Sequence, residues 1–249
     1  MLYKECIKLW REGLSQELIN RFFIKCTYSS SKIENNEIIL RDVEAVFKGE
    51  KVINFKGSEK TITEIENHKS LCENIFKISK ENNSKLLIDL IKQFHYVLMK
   101  DCFKEELIIK GEKPGEFRRG IVGLYDVGVD PIEIEKNLNS LIEEMNNVQV
   151  KGDNALKVMS YFLCYFESIH PFTDNGKVGR MLLNYLLIAN NLPPIVIFYN
   201  DKKEYYLALE QFNETQQIDK MIRFLEDQAY KTWIKDYNFK LKGLKYFLD

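Results

Sequence analysis

The sequence predicts an all-α fold, a central helical bundle with one small β-hairpin flap, and three observations carry that expectation. Helix breakers are scarce, with 12 Gly and 5 Pro among 249 residues, and Leu, Ile, Lys, Glu and Asn fill the stretches between them. Apolar residues recur every three or four positions through most of the chain. Two segments, Leu156 to Ile169 and Met181 to Ile188, are apolar almost all the way round, the pattern of helices buried on every side.

From the N-terminus, Leu9, Leu14, Leu18, Ile19, Phe22 and Phe23 form a stripe that fits one or two helices between about Leu2 and Tyr28. Thr27 to Asn36 is polar, and its serines suit the cap of a short helix. Glu44 to Phe47 reads as another short helix, ended by Gly49. Thr61 to Ile78 sets Ile62, Ile65, His68, Leu71, Ile75 and Ile78 at helical spacing, and Leu86 to Leu98 repeats the pattern. His68 and His95 lie on apolar helical faces and read as satisfied histidines rather than ligands. Helicity then breaks, because Gly111, Pro114, Gly115, Gly120, Gly123, Gly128 and Pro131 crowd together. Phe117, Ile121, Val122, Leu124, Tyr125 and Val127 stand between them, so 111–128 reads as a hairpin or extended flap. From Ile132 helices resume, interrupted near Asp153, at His170 to Gly179 and at Asn190 to Pro194. No internal repeat or linker is visible, and 1–249 reads as one domain ending in helices over about 200–249.

Composition excludes several classes. Lys and Arg number 36 against 37 Asp and Glu, a net charge of -1 that does not suit a generally basic nucleic-acid binder. The lysines at 231, 235, 240, 242 and 245 read as a solvated helix face, with no helix-turn-helix pattern beside them. Cys6, Cys26, Cys72, Cys102 and Cys164 are scattered and form no Cys-x-x-Cys pair, so they read as buried thiols in a reducing compartment. Lys4 and Glu5 interrupt the N-terminus before a secretory signal develops, and the apolar runs are too short to cross a bilayer. A cytoplasmic protein without nucleic-acid or membrane partners is expected.

The two most apolar segments are joined by the polar loop His170-Pro-Phe-Thr-Asp-Asn-Gly-Lys-Val-Gly-Arg180. Charge between two buried helices needs a chemical reason. His170 is the side chain that exchanges a proton near neutral pH without special tuning. Pro171 and Phe172 end the first helix and plug the loop into the core. Asn175 and Gly176 permit a tight turn whose amides converge on an anion, at the N-terminus of the second helix. Lys177 and Arg180 place positive charge in a first turn that would otherwise favour acids. Asp174 is the carboxylate able to hold a magnesium ion against phosphates. Together these parts suit phosphoryl or nucleotidyl transfer.

The loop resembles the signature of the Fic family, His-Pro-Phe-x-(Asp/Glu)-Gly-Asn-Gly-(Arg/Lys)-x-x-Arg. Gly111 to Tyr125 is similar to the Fic flap, with Gly115-Glu-Phe-Arg118 matching its Gly-x-(Tyr/Phe)-Arg opening. Ser30 to Asn35 resembles the family's inhibitory pattern (Ser/Thr)-x-x-x-Glu-(Gly/Asn), and the Leu-Pro-Pro-Ile-Val-Ile run and Tyr205 to Leu209 sit where Fic proteins carry similar residues. The likeness covers roughly residues 25 to 230. It departs at one point: Asp174 is followed directly by Asn175, without the Gly between them. The loop is expected to absorb the missing residue, because a one-residue slip of the helix would rotate Arg180 by about 100°.

The resemblance implies a single Fic domain that transfers AMP from ATP, with Mg2+, to a Ser, Thr or Tyr hydroxyl of a protein target, itself included. His170 would deprotonate that hydroxyl, and Asp174 would bind magnesium. Asn175, Gly176, Lys177, Gly179 and Arg180 would form the nucleotide and phosphate site, with Arg180 on the γ-phosphate. Glu34 would fold back onto Arg180 from an inhibitory region at about 25–40, with Ser30 steadying that helix. Gly120, Ile121, Val122, Gly123 and Leu124 of the flap would pair with an extended target segment. A homo-oligomer is compatible with the pattern. The alternatives are a Fic-type transfer of another nucleotide or phosphate-containing group, removal of AMP, or a nucleotide- or partner-binding protein weakened by the short loop.

Overall fold

A computed structural model describes residues 2–53, 55, 57–82, 85–120 and 128–235, and among these every regular element is helical. The long helices at the centre are α8 (Ala155–Ile169) and α9 (Asn175–Ala189), which pack side by side. Every residue of α9 from Lys177 to Ile188 is buried, as its all-round apolar pattern requires. α4 (Glu59–Glu81) and α5 (Ile88–Met99) cover α9, while α7 (Ile134–Asn147), α10 (Lys202–Thr215) and α11 (Asp219–Tyr230) cover α8. α1 (Leu2–Arg11) packs on α11; α2 (Gln16–Glu34) lies on α4, touches α9, and is followed by α3 (Leu40–Lys48). The short α6 (Glu105–Ile109) precedes the glycine-rich stretch.

The N-terminal stripe divides into two helices, and Ser15 caps the second by accepting from the Leu18 amide at 3.3 Å. The polar segment predicted to cap a short helix instead continues α2 to Glu34, and Ser29, Ser30 and Ser31 are buried. Those serines face the protein interior, so small polar side chains there let α2 approach its neighbours.

After α9 the Leu-Pro-Pro-Ile-Val-Ile run is buried yet not helical, and side chains satisfy its backbone. Asn184 Oδ1 accepts from the Ile195 amide at 2.7 Å, Gln228 Oε1 from Phe198 at 2.7 Å, and Thr232 Oγ1 from Val196 at 3.1 Å. All five cysteines are buried. Among the described residues no helix is long and apolar enough to cross a membrane. No strand is seen among them either, and the centre of the expected β-hairpin flap, 121–127, lies outside the described residues. Gly120 lies in a bend, while Ile121, Val122, Gly123 and Leu124 fall outside the described residues, as do the C-terminal residues 236–249.

Candidate active site

α8 ends at His170, whose backbone is left-handed (φ 49°), and α9 begins five residues later at Asn175. Asp174 precedes it, also left-handed (φ 60°), so two tight turns fit the short loop between the helices. α9 is thereby left with uncapped amides at its first turn, since the Asp174 side chain makes no capping bond. The Asp174 carboxylate itself is exposed.

Arg180 lies one and a half turns into α9 and is buried. Its Nε donates to Ser30 Oγ at 3.0 Å and its Nη2 to the Ser30 carbonyl at 3.0 Å and to Glu34 Oε1 at 2.9 Å. Burial, the largest single influence, opposes the guanidinium charge, but Glu34, Tyr205 and Glu167 together outweigh it, and the Arg180 pKa is raised. Ser30 therefore binds Arg180 directly. A Cβ on Gly176 would stand 2.7 Å from Glu34 Oε1 and 2.8 Å from Arg180 Nη1, so the missing side chain lets both groups close over the first turn of α9. Arg180 Nη1 and Asn175 Oδ1 are buried and have no hydrogen-bond partner. A buried donor without an acceptor, beside the amino end of a helix, suits an anion.

Lys177 is also buried, and its Nζ donates to Glu64 Oε2 of α4 at 2.8 Å. Asn175 Nδ2 donates to Glu167 Oε2 at 3.0 Å. Gly179 lies in the contact between α8 and α9, where a side chain would overlap the Glu167 carboxylate and approach Phe166. Its smallness thus serves helix packing.

His170 is half-buried. Burial, and then the Arg118 charge, push its pKa down to about 4. The imidazole is neutral at pH 7, the form that takes a proton. Arg118 holds the backbone around it: Nε donates to the His170 carbonyl at 2.6 Å, Nη1 to Gly120 at 2.8 Å, and Nη2 to the Val129 and Ile169 carbonyls. The Arg118 amide also donates to the Pro171 carbonyl at 3.0 Å. One guanidinium thus ties both ends of the glycine-rich stretch to the His170 turn.

The rest of the loop is held from α5 and the segment before Arg118. His95 stacks on Phe172 with centroids 4.2 Å apart, accepts from the Gly115 amide at Nδ1 (2.9 Å), and reaches the Thr173 carbonyl through Nε2 (3.1 Å). Because an amide donates to Nδ1, Nε2 carries the proton and donates to Thr173. Glu112 accepts from Thr173 Oγ1 at 3.2 Å and from the Arg119 amide at 3.0 Å. His95 is therefore satisfied, as expected, but it braces the loop rather than merely filling the core.

Sequence reasoning missed Glu64, Glu112 and Glu167 at this site. Glu167 carried a signal, a carboxylate inside an otherwise apolar helix three residues before His170. Glu64 carried none, since it sits on a helix with many exposed acids.

Residues 85–187 match the model of the Fic/DOC family. The chain is similar to the protein adenylyltransferase Fic of Drosophila mojavensis, 28% identical over 218 residues, covering 82% of this chain and 39% of that protein. It is 25% identical over 214 residues to the protein adenylyltransferase Fic of Nematostella vectensis, covering 83% of this chain and 47% of that protein. The chain thus spans less than half the length of these curated relatives. Among solved structures, a Fic domain containing signaling protein from Bacteroides thetaiotaomicron superposes with a TM-score of 0.78 at 19% identity, covering 93% of this chain and 95% of that one. Fic-1 from C. elegans superposes with a TM-score of 0.77 at 17% identity, covering 94% of this chain and 69% of that one. These two likenesses are of fold.

Proposed function

The chain carries a Fic/DOC-family domain over residues 85–187, and from that premise we propose that it transfers AMP from ATP to a Ser, Thr or Tyr hydroxyl of a protein. The observation that carries the reading is the buried, unpartnered Arg180 Nη1 beside Gly176 at the amino end of α9, one loop away from a neutral His170. The names of the relatives at 25–28% identity support the same chemistry.

In this reading His170 takes the proton of the target hydroxyl as its oxygen attacks the α-phosphorus of ATP. The bond from that phosphorus to the pyrophosphate oxygen breaks, and AMP stays on the target. The uncapped amides of α9 and the Arg180 guanidinium hold the phosphates, and Lys177 joins them only by leaving Glu64. The exposed Asp174 carboxylate, making no cap, would be the residue to hold a magnesium ion, which would supply charge neutralisation for the leaving group. Residues of the flap would present an edge to the target backbone, with the protein's own chain or a second copy among the candidate targets.

Glu34 is the regulator in this reading. Its carboxylate and a γ-phosphate compete for Arg180, so the pair seen here represents an inhibited arrangement. Mass spectrometry of the chain and of candidate targets after incubation with ATP and Mg2+ tests the reading, with wild type and Glu34→Gly run in parallel. AMP adducts that increase in the variant are expected. No adduct from either protein, or adducts only with another labelled nucleotide, overturns the proposal.

A further inference from the structure

Glu167 of α8 is buried, and among the described residues it makes no ion pair. Its Oε2 accepts from Asn175 Nδ2 at 3.0 Å, and its Oε1 from the Tyr205 hydroxyl of α10 at 3.4 Å. Arg180 lies near it but spends its hydrogen bonds on Ser30 and Glu34. Opposite the carboxylate, α9 has Gly179, the notch that makes room for it.

Keeping a carboxylate in such a place is costly, and an apolar side chain of similar volume would pack there more favourably. The group has a specific geometric consequence. Its Oε2 accepts from Asn175 Nδ2, which turns the Asn175 amide with Nδ2 toward α8 and Oδ1 the other way. Asn175 is the first residue of α9, and its backbone belongs to the uncapped turn beside Gly176.

We propose that Glu167 is a positioning residue for the transfer reaction: through its bond to Asn175 it pins the first turn of α9 to the helix that carries His170. The inference rests on the adenylyl-transfer reading. Glu167 touches no reacting atom. It fixes the distance between the base on one side of the loop and the phosphate-binding turn on the other, a separation that transfer in line depends on. With one residue fewer in the loop than the family signature has, a side-chain tie across its mouth carries more of that burden.

The test is a double-mutant cycle in the full chain, in the Glu34→Gly background. Glu167→Ala, Glu167→Gln, Asn175→Ala and the Glu167→Ala/Asn175→Ala double variant are compared by kcat, KM for ATP and melting temperature. Glu167→Ala is expected to lower kcat about 10–100-fold with KM changed less than about 3-fold. Glu167→Gln, whose carbonyl accepts the same bond, should return to within about 3-fold of its parent. In the Asn175→Ala background the Glu167→Ala change should cost less than about 3-fold more, because the tie is already gone.

Equal losses in both backgrounds overturn the inference, as does a Glu167→Gln variant as slow as Glu167→Ala. A readout independent of turnover is the side-chain amide resonance of Asn175, identified by its loss in Asn175→Ala. It should shift in Glu167→Gln, where an amide oxygen replaces a carboxyl oxygen as the acceptor; an unmoved resonance refutes the tie even if Glu167→Ala fails to fold. Absence of AMP transfer in every protein, with the resonance shifting as expected, would refute the adenylyl-transfer reading and leave the tie standing.

Discussion

At His170, burial and the Arg118 charge hold the imidazole neutral, with a pKa lowered to about 4. A neutral imidazole near a hydroxyl is a base that acts in the transition state and contributes little to holding ATP. His170→Ala should therefore abolish AMP transfer while leaving nucleotide affinity within about 3-fold, measured by turnover and by binding of a fluorescent ATP analogue. Wild-type turnover in that variant would remove His170 from the reaction. Arg180 gives the second prediction at this scale. Its pair with Glu34 is charge-assisted, and linked sites of this kind typically couple by about 1–3 kcal/mol, or roughly 5–150-fold. Glu34→Gly should raise the initial rate within that range, and Glu34→Ala should do the same without the helix-weakening effect of glycine. Arg180→Ala should be slow whatever stands at position 34. Unchanged rates in both Glu34 variants would mean that the carboxylate does not regulate. The His170 loop was marked in the sequence by its polar residues between two apolar helices, and the meeting of Glu34 with Arg180 was expected only through the resemblance to the Fic inhibitory pattern. Glu64 was not legible, since no motif singles it out from the exposed acids of its helix and only folding brings it to Lys177.

Between elements, the site depends on how α2 and α4 are joined to α9. The sequence suggested that the serines of the polar run Thr27 to Asn36 cap a short helix. Tertiary contact overrode that preference: Ser30 is bonded to Arg180, and Thr27 Oγ1 contacts His68 Nδ1 of α4 at 2.9 Å. Buried partners are invisible to propensity. The same packing predicts a cost for cutting the bond between α4 and α9. Glu64→Gln leaves Lys177 buried without its carboxylate, and the pair lies between the exposed and fully buried regimes. The loss of stability should be about 1–3 kcal/mol, read from urea midpoints at constant slope. A change below about 0.5 kcal/mol would show the pair to be incidental. Arg118 joins elements in another way, bonding four carbonyls on both sides of the glycine-rich stretch. Arg118→Lys cannot reproduce that fork. Amide exchange should rise at 118–120 and 128–130, with AMP transfer reduced; unchanged exchange there would deny Arg118 this role.

Over the whole molecule, the three histidines of the chain share one condition. Burial lowers His68 to about 3 and His95 and His170 to about 4, with Lys177 and Arg180 adding to the effect at His68 and Arg118 at His170. Each binds a proton near pH 6.5 when unfolded and much lower when folded, so between those values the unfolded chain holds more protons. Stability must then fall as pH drops below about 6.5. Glu167 works in the opposite sense. Burial raises it to about 7, so its folded form is the better proton acceptor, and its stabilising contribution is lost as pH rises through 7 and regained on acidification. Each group is worth on the order of 1–2 kcal/mol between pH 7 and pH 5, and three histidines oppose one glutamate. The histidines should win, giving a net loss of a few kcal/mol and a melting temperature lower by about 5–10 °C at pH 5. At Glu167 the Arg180 charge lowers and the Glu34 charge raises the pKa, so burial, the largest influence, sets the direction. In Glu167→Gln the compensating group is gone, and the loss between pH 7 and pH 5 should grow by about 1–2 kcal/mol. Denaturation in urea at pH 7, 6 and 5 for wild type, Glu167→Gln and His95→Gln measures each slope. His95→Gln should flatten the profile and Glu167→Gln should steepen it. A wild-type stability that is level or rises toward pH 5 would show that the buried histidines are not held neutral.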